Sequence, residues 1–280
     1  MSKVRSIEKP EKKYKVLDGL NPPIQDTGFE YEIGRDYNCD DFCNAPEKDC
    51  AAGFYATELD GLPYAWNTYR NIYEVEVWGR AVEINEFKRR YENIRILREL
   101  DPADVAEEAN EIEDELGYRL SEVIQPVNPA KITPPEITDE HIELLREWYS
   151  VGDSVWDPVR DPVWDLVRDS VRDSVWDPVW DSVWDSVWRS VWDPLWGSVR
   201  DSVRDSVCSA GNSVRYLVYA YIGSLFPEID DWKYIDHEPG EYPLQSAVDL
   251  WKQGLVPSYD GKTWRLHGGE NMDILYEEAD

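Results

Sequence analysis

The stretch VGDSVWDPVRDPVWDLVRDSVRDSVWDPVWDSVWDSVWRSVWDPLWGSVRDSVRDS, residues 151–206, consists of fourteen consecutive copies of the tetrapeptide Val-(Trp/Arg)-Asp-(Ser/Pro). Valine occupies the first position of 13 copies, and the second position holds Trp eight times, Arg five times and Gly once. Eight of the 14 Trp residues therefore lie in one-fifth of the 280-residue chain. Regularity of this kind is not typical of a globular sequence, so the repeat dominates the expected architecture.

A four-residue period nearly matches an α-helix, because valine would drift by only about 40° per copy. The prolines argue against a helix, since each costs about 3 kcal/mol in a helix interior, and valine favours β structure. The pattern therefore predicts a β-solenoid over residues 150–207, with short Val-centred strands and with Ser or Pro at the corners. Three prolines at 16-residue spacing favour four copies per coil, and coils of 12 or 20 residues stay open as alternatives. The fourth position holds proline in four copies, Pro158, Pro162, Pro178 and Pro194.

Substitutions within the repeat predict which side chains face outward. A position that accepts Arg five times is a poor candidate for a dry core, whereas the nearly invariant valine suits the interior. We therefore expect an exposed ladder of Trp and Arg that binds a protein partner or a second copy of the chain. Expansion of a short coding unit by DNA slippage is the alternative account of the same regularity. The expected binding residues are Trp156, Trp164, Trp176, Trp180, Trp184, Trp188, Trp192 and Trp196.

The rest of the chain divides into four segments around the repeat. Residues 1–13 are charged and read as a flexible lead-in, and residues 14–100 contain short alternating patterns typical of a small α+β domain. Residues 101–149 read as an acidic helical linker that starts at Asp101-Pro102, with the proline-rich stretch 125–135 as the best domain boundary. Residues 208–280 are expected to form a C-terminal α/β cap. The predicted fold is thus an α+β domain, a helical linker and a capped tetrapeptide-repeat β-solenoid.

The net charge of -29 disfavours generic electrostatic binding to nucleic acid or to an anionic membrane, because both need a basic surface. Solubility explains an acidic surface most simply, and an acidic mimic of DNA that inhibits a nucleic-acid enzyme is the sharper alternative. The sequence has no apolar run long enough for a transmembrane helix and no secretory signal at its N-terminus, so a cytoplasmic location is expected, with association with a virion as a further option.

Chemical motifs are sparse. Cys39, Cys43 and Cys50 lie close together in sequence, but they lack the paired spacing and the nearby His of a zinc site, so no metal or other cofactor is expected. The three histidines are far apart in sequence, and no nucleophile elbow, phosphate-binding glycine loop or metalloprotease motif occurs. We therefore expect no catalytic residues, and the sequence favours a non-enzymatic protein.

Two resemblances involve the regions outside the repeat. The segments YKVL, GFEYEIGRDY, CAAGFYAT, YEVEVWG and NIRILREL resemble a domain of unknown function found in phage and prophage proteins. YAYIGSLFP and LWKQGLVPSYDGKTWRLHGG, together with the tetrapeptide array, resemble uncharacterised repeat proteins from phages and prokaryotes. These resemblances imply a phage-type or prophage-related protein, and they imply no chemistry.

A more distant resemblance concerns GFYAT, residues 53–57, followed by Tyr64-Ala65-Trp66 and the strand YEVEVWG. This pattern is similar to the segment that shapes the nicotinamide pocket in ADP-ribosyltransferase-like folds. The resemblance implies a transferase or an NAD-binding relative in residues 14–100. The early strand of this chain has no His, and no late Glu is uniquely placed, so the resemblance favours a degenerate relative that only binds. Function is therefore expected to be either assembly through the repeat or, alternatively, chemistry or binding in the N-terminal domain.

Overall fold

A computed structural model divides the chain into two compact units, Met1–Leu116 and Gly117–Asp280. For the helical residues 152–155 and 207–214, the structure describes the backbone and not the side chains. The structure describes residues 4–22, 29–65, 70–85, 87–155, 167, 179–181, 183–184, 207–230, 232, 237–259 and 262–279.

Unit 1, Met1–Leu116, is built on one antiparallel sheet. Two long antiparallel strands, Asn71–Glu83 and Arg89–Leu100, form the centre of the sheet. Apolar residues of these strands and of the end of the first strand form the core. The order of four strands is β1-β4-β5-β2, and β3 also pairs with β5. The strands are β1 (Val4–Leu17), β2 (Asp36–Asn38), β3 (Phe54–Ala56), β4 (Asn71–Glu83) and β5 (Arg89–Leu100).

Strand β1 begins at Val4, within the segment expected to be a flexible lead-in. Its charged residues are compatible with a strand because many of them lie on the exposed side, while Ile7 and Leu17 are buried. Pro10 lies where the pairing with β4 shifts register, between Ile7 and Glu11, a position that needs no ladder hydrogen bond from proline. Strand β1 therefore begins ten residues before residue 14, where the α+β domain was expected to start.

Strands β1 and β3 meet at a single antiparallel bridge. The backbone N–H of Tyr14 donates to the carbonyl oxygen of Thr57 at 2.9 Å, and the N–H of Thr57 donates to the carbonyl oxygen of Tyr14 at 2.9 Å. Beyond this bridge, β1 continues along β4, while β3 pairs with β5. The divergence of the two strands positions the candidate site.

Two short helices form the C-terminal end of unit 1. Helix α1 (Pro102–Ala109) begins at the predicted place, because the Asp101 carboxylate accepts a hydrogen bond from the N–H of Ala103 and a proline follows the cap. Helix α2 (Glu113–Leu116) ends unit 1. The boundary between the units thus falls after Leu116 rather than in the proline-rich stretch.

Unit 2, Gly117–Asp280, combines helices with a three-stranded antiparallel sheet of order β6-β7-β8. The proline-rich stretch belongs to its interior: Trp251 donates from Nε1 to the carbonyl oxygen of Val127 at 2.8 Å, and Pro129 and Ala130 are buried. The elements are α3 (Leu120–Ile124), α4 (Asp139–Val155), α5 (Val207–Ser224), α6 (Gln245–Lys252), β6 (Leu255–Tyr259), β7 (Thr263–Gly268) and β8 (Asp273–Ala279).

The predicted β-solenoid is wrong. The described residues of the repeat, 151–155, 167, 179–181 and 183–184, are helical, and the sheets of the described residues are antiparallel sheets of ordinary strands. The near match between the four-residue period and the helical turn therefore outweighs the β preference of valine. The described residues of the repeat contain no proline, so the proline penalty does not apply to them.

The expectation that valine faces the interior is confirmed for three copies in the described part of the repeat, whereas Val151 of the first copy is partly buried. Val167, Val179 and Val183 are fully buried. A Cβ atom added to Gly223 on α5 would come within 3.2 Å of Cγ2 of Val167, so this part of the repeat packs closely against α5. Burial of one aliphatic side chain per copy is what an amphipathic helix requires.

Candidate functional site

A cleft of about 720 Å³ opens in unit 1 where β1 and β3 diverge. We call it the Lys15 cleft and define it by three groups of lining residues: Lys15 and Val16 of β1, residues 49–57 around β3, and residues 85, 87 and 88 with Tyr64 and Arg70. Its size is within the range of small-molecule sites, about 300–1,000 Å³. The GFYAT segment, residues 53–57, forms part of its wall.

Lys15 is the central feature of the cleft. Its Nζ donates a hydrogen bond to the carbonyl oxygen of Tyr55 at 2.6 Å and lies 5.4 Å from the centroid of the Tyr31 ring. The residue is only 8% exposed, and no carboxylate of the described residues forms an ion pair with it. Burial, followed by the positive charge of Lys88, lowers the pKa of Lys15 to about 8. A partly neutral amine therefore lies in the wall of the cleft.

Aromatic side chains surround this amine on one side. Phe29 packs edge-on against Tyr31 with ring centroids 4.9 Å apart, and Tyr31 lies 6.4 Å from Phe54. Burial raises the pKa of Tyr31 well above its ordinary value, so this phenol stays neutral at physiological pH. These rings offer faces and edges on which a flat ligand can stack.

A second aromatic pair lies across the cleft. The rings of Tyr64 and Phe87 stack with centroids 3.7 Å apart and planes 17° apart, and Tyr64 is 38% exposed. The carbonyl oxygen of Phe87 accepts a hydrogen bond from the Thr57 hydroxyl at 2.6 Å, which fixes the pair to the end of the GFYAT segment. The exposed face of Tyr64 is therefore held in place.

Lys88 supplies a second positive charge to the cleft. Its Nζ lies 2.6 Å from Oδ1 of Asp49 and 4.7 Å from the centroid of the Tyr55 ring. The hydrogen bond from Lys88 lowers the pKa of Asp49, which keeps this carboxylate ionised. Among the described lining residues, Asp49 is the one carboxylate, so the cleft is more positive than the strongly acidic chain as a whole.

Arg90 and Gly53 shape the floor behind the GFYAT segment. The guanidinium of Arg90 is fully buried and donates to the carbonyl oxygens of Ala45 at 2.6 Å and Lys48 at 2.8 Å. Gly53 has a φ of 142°, and a Cβ there would lie 2.5 Å from Cγ of Arg90. The strand can approach Arg90 only because residue 53 has no side chain.

A second depression of about 520 Å³ lies on the other side of the Tyr14–Thr57 bridge. It is lined mainly by charged residues, five carboxylates and three cationic side chains, and several of these form ion pairs: Lys13 lies 3.2 Å from Glu58, and Arg98 donates to Glu74 at 2.7 Å. Burial, followed by the charge of Glu58, raises the pKa of Asp60. This depression has less aromatic surface than the Lys15 cleft and suits a small ligand less well.

Cys39, Cys43 and Cys50 lie within the described residues of unit 1. Among the described residues, no three His, Cys, Asp or Glu side chains come together in an arrangement that could hold a metal ion. Cys39 and Cys43 are partly buried, whereas Cys50 is exposed, lines the Lys15 cleft and has a φ of 54°. Cys39, Cys43 and Cys50 are free thiols.

Unit 2 contains a buried Ser–His pair that is structural. Nε2 of His267 lies 2.8 Å from the hydroxyl of Ser258, and Nδ1 lies 3.0 Å from the carbonyl oxygen of Met272. Burial lowers the pKa of His267 to about 4. Both side chains are shielded from solvent, at 0% and 1% exposure, so a substrate has no access to them.

Two of the eight expected binding tryptophans lie within the described residues. Trp180 and Trp184 are half-buried and stack on each other with centroids 4.6 Å apart, and Trp180 also lies 4.6 Å from the ring of Tyr219 on α5. These two rings therefore have packing partners within unit 2. The other six, Trp156, Trp164, Trp176, Trp188, Trp192 and Trp196, lie outside the described residues.

Sequence reasoning missed the lysine of the cleft. A signal was present, because Lys15 and Leu17 are two residues apart in a strand and so share a face, and Leu17 is fully buried. The side chains that come from other parts of the chain, such as Tyr31 and Lys88, have no local signal, since only the folded sheet brings them to β1.

Comparisons with known proteins supply no further assignment. No protein-family model matches the chain, and neither the curated proteins nor the solved structures contain a match. None of the described helices is both long enough and apolar enough to cross a membrane. Any function must therefore be argued from the Lys15 cleft and the repeat themselves.

Proposed function

We propose that unit 1 is a small-molecule-binding module whose ligand combines a flat ring with a negative charge and occupies the Lys15 cleft. One observation carries the proposal: the ammonium group of Lys15 is buried in an aromatic wall without an ion-pair partner among the described residues. A buried charge of this kind is costly unless another group compensates it. A ligand anion supplies the missing charge.

The two sides of the cleft fit the two parts of such a ligand. The exposed ring of Tyr64 offers a stacking face, and the positive charges of Lys15 and Lys88 attract an anion. The local positive charge of Lys15 and Lys88 matters because the chain has a net charge of -29, which repels anions. Selection of an anionic ligand by this protein therefore depends on a local positive site.

Isothermal titration calorimetry on the full chain tests the proposal with matched pairs of probes. AMP and adenosine share one ring system and differ by the phosphate group, so their affinity ratio reports the charge preference of the cleft. We expect AMP to bind about tenfold more tightly than adenosine, equivalent to about 1.4 kcal/mol. The variant Lys15→Met should lose this ratio, whereas Lys9→Met, which removes an exposed lysine of the same strand, should keep it.

Two results would count against the proposal: no binding of either probe at millimolar concentration, or equal affinities of the two in the unmodified chain. Tyr64→Ala supplies an independent arm, because it removes the stacking face without changing charge. This variant should weaken AMP and adenosine binding by the same factor, and a change in the ratio of their affinities would assign the charge selection to another part of the chain.

Transfer of ADP-ribose is the alternative chemistry for the same domain. Incubation of the full chain with NAD, followed by measurement of released nicotinamide, distinguishes a transferase from a binding module. Since Asp49 is the one carboxylate among the described lining residues and is engaged by Lys88, we expect NAD to bind without release of nicotinamide. Time-dependent release above the rate in buffer would favour the transferase.

A further inference from the structure

We propose that Lys15 forms an imine with a carbonyl group of the ligand that occupies the Lys15 cleft. This inference rests on the proposed binding function and extends it by assigning a chemical class to the ligand, an aldehyde or ketone attached to a flat anionic group. Three features of the chain carry it: the position of the amine, its protonation and its immediate partners.

The position of the amine distinguishes Lys15 from the other lysine of the cleft. Lys88 lies 2.6 Å from the carboxylate of Asp49, so its amine is engaged in an ion pair. Lys15 has a backbone carbonyl oxygen and the Tyr31 ring as its partners, neither of which is charged. Of these two lysines, Lys15 is therefore the one with an amine available for attack on a bound carbonyl.

Protonation favours the same assignment. Burial and the nearby charge of Lys88 lower the pKa of Lys15 to about 8 from the ordinary 10.5, so about a quarter of the amine is neutral at pH 7.5. Lys88 with its partner Asp49, and Arg70, are the other charged groups that line the cleft, and its remaining titratable side chains are Tyr14, Tyr31, Cys50, Tyr55 and Tyr64. Lys88 and Arg70 add positive charge beside Lys15, which attracts an anionic ligand.

The chemistry balances without a further reagent. The lone pair of the neutral Lys15 amine attacks the carbonyl carbon, a nitrogen–carbon bond forms, and the carbonyl π electrons move to oxygen, which takes up a proton. The resulting carbinolamine loses water, and the carbon–nitrogen double bond forms. The protonated imine carries a positive charge, which the face of the Tyr31 ring stabilises as it does the ammonium. Formation is reversible, and hydrolysis releases the ligand.

The test uses 4-formylbenzoate, which combines a flat ring, a carboxylate and an aldehyde. The full chain is incubated with this probe and sodium cyanoborohydride at pH 7.5, and the labelled lysines are located by peptide mass spectrometry. We expect the initial labelling rate at Lys15 to exceed that at Lys9, an exposed lysine of the same strand, by about tenfold. The rate at Lys15 should level off above about pH 8.

Variants and a non-reactive analogue separate the two proposals. Lys15→Arg keeps the charge and should remove the preferred label, while Lys9→Arg should leave labelling at Lys15 unchanged. Binding of 4-methylbenzoate, which lacks the carbonyl, is measured in parallel by calorimetry. If 4-methylbenzoate binds but Lys15 is labelled no faster than Lys9 in the unmodified chain, the imine is ruled out and the binding function stands. If neither benzoate binds, both proposals are overturned.

Discussion

The Nζ atom of Lys15 on β1 and the carbonyl oxygen of Tyr55 on β3 lie 2.6 Å apart and connect two strands that have already diverged. One residue earlier, Tyr14 and Thr57 form two backbone hydrogen bonds between the same strands. The lysine side chain thus takes the place of a ladder hydrogen bond and satisfies a carbonyl group that would otherwise face the cleft. A side-chain hydrogen bond of Lys15 therefore replaces a backbone hydrogen bond in the wall of the cleft.

Burial of Lys15 predicts a measurable dependence of stability on pH. The folded pKa of about 8 lies below the ordinary 10.5, so folding disfavours the charged form. The stabilising contribution is fully present above pH 10.5 and is lost as the pH falls through about 8. The free energy of unfolding of the unmodified chain should therefore rise by about 3 kcal/mol relative to Lys15→Met between pH 7 and pH 10.5.

Urea unfolding of both proteins at each pH measures this difference, and ionisation of tyrosines largely cancels between them. Lys9→Met serves as the control for removal of a lysine from the same strand, because Lys9 is exposed and its replacement should change the free energy of unfolding by no more than about 0.5 kcal/mol. Parallel stability curves for the unmodified chain and Lys15→Met would refute the assignment of a depressed pKa to Lys15.

The close contact between Gly53 and Arg90 predicts that residue 53 tolerates no side chain. In Gly53→Ala, the new Cβ would lie 2.5 Å from Cγ of Arg90 at a φ of 142°, so both the packing and the backbone are strained. We expect a loss of about 2–4 kcal/mol in the free energy of unfolding. Thermal unfolding followed by circular dichroism measures it.

Gly34→Ala is the matched control for this variant. Gly34 also has a positive φ, 81°, but an added Cβ would meet no atom within 4 Å. The expected loss is about 1 kcal/mol, from backbone strain alone. Equal losses in the two variants would show that contact with Arg90 does not limit residue 53.

His267 predicts a second dependence on pH, at the acidic end. Its folded pKa of about 4 lies below the ordinary 6.5, so the unfolded chain takes up the proton more readily. Stability from this group is present above pH 6.5 and is lost as the pH falls through about 4. From pH 7 to pH 4.5, the loss should amount to about 2–3 kcal/mol.

His267→Gln isolates this contribution, since the other acidic and histidine groups are common to both proteins. The variant should be less stable at pH 7 by about 1–3 kcal/mol, because the hydrogen bonds with Ser258 and Met272 are disturbed. The difference between the two proteins should shrink towards pH 4.5. A difference that stays constant over this range would contradict the proposed neutral state of His267.

The contact between the rings of Trp180 and Tyr219 predicts an energetic coupling between the repeat and α5. The ring centroids are 4.6 Å apart, and Tyr219 is 1% exposed. A double-mutant cycle with Trp180→Leu and Tyr219→Leu should give a coupling energy of about 0.5–1.5 kcal/mol in urea unfolding. A coupling energy within error of zero would mean that the contact contributes nothing to stability.

Association through the repeat stays a prediction, and the solution mass tests it. If exposed tryptophans drive assembly, the unmodified chain should be larger than 32.6 kDa by light scattering, and a triple change of Trp180, Trp184 and Trp188 to Ser should reduce it to a monomer. Because Trp180 and Trp184 pack within unit 2, we now expect this variant also to unfold at a lower temperature. A monomeric unmodified chain would argue against assembly.

Local signals in the sequence were sufficient for several elements. The Asp101-Pro102 pair predicted the start of α1, and the short alternating patterns of residues 14–100 predicted a small α+β domain. These predictions succeeded because helix caps and the alternation of a strand depend on residues close in sequence. The prediction of a β-solenoid for the repeat was wrong because it used only local properties, the β propensity of valine and the penalty of proline in a helix. Burial of one valine per turn depends instead on a neighbouring helix.

The candidate site needed longer-range information. GFYAT drew attention to residues 53–57, but the residues that give the cleft its chemistry come from β1, from the segment containing Tyr31 and from the segment containing Lys88. These segments are separated by tens of residues, and nothing in the sequence pairs them. Only the register of β1 with β4 and of β3 with β5 places Lys15 beside Tyr55.

By itself, the sequence determined the acidic charge, the periodic burial of valine and the positions where helices begin, because each depends on residue type and short spacing. Tertiary structure alone decided that the repeat is helical where it is described and that a lysine is buried in an aromatic cleft. The physical reason is the same in both cases. The free energy of a valine, a tryptophan or a lysine depends on what packs against it, and those neighbours are distant in sequence.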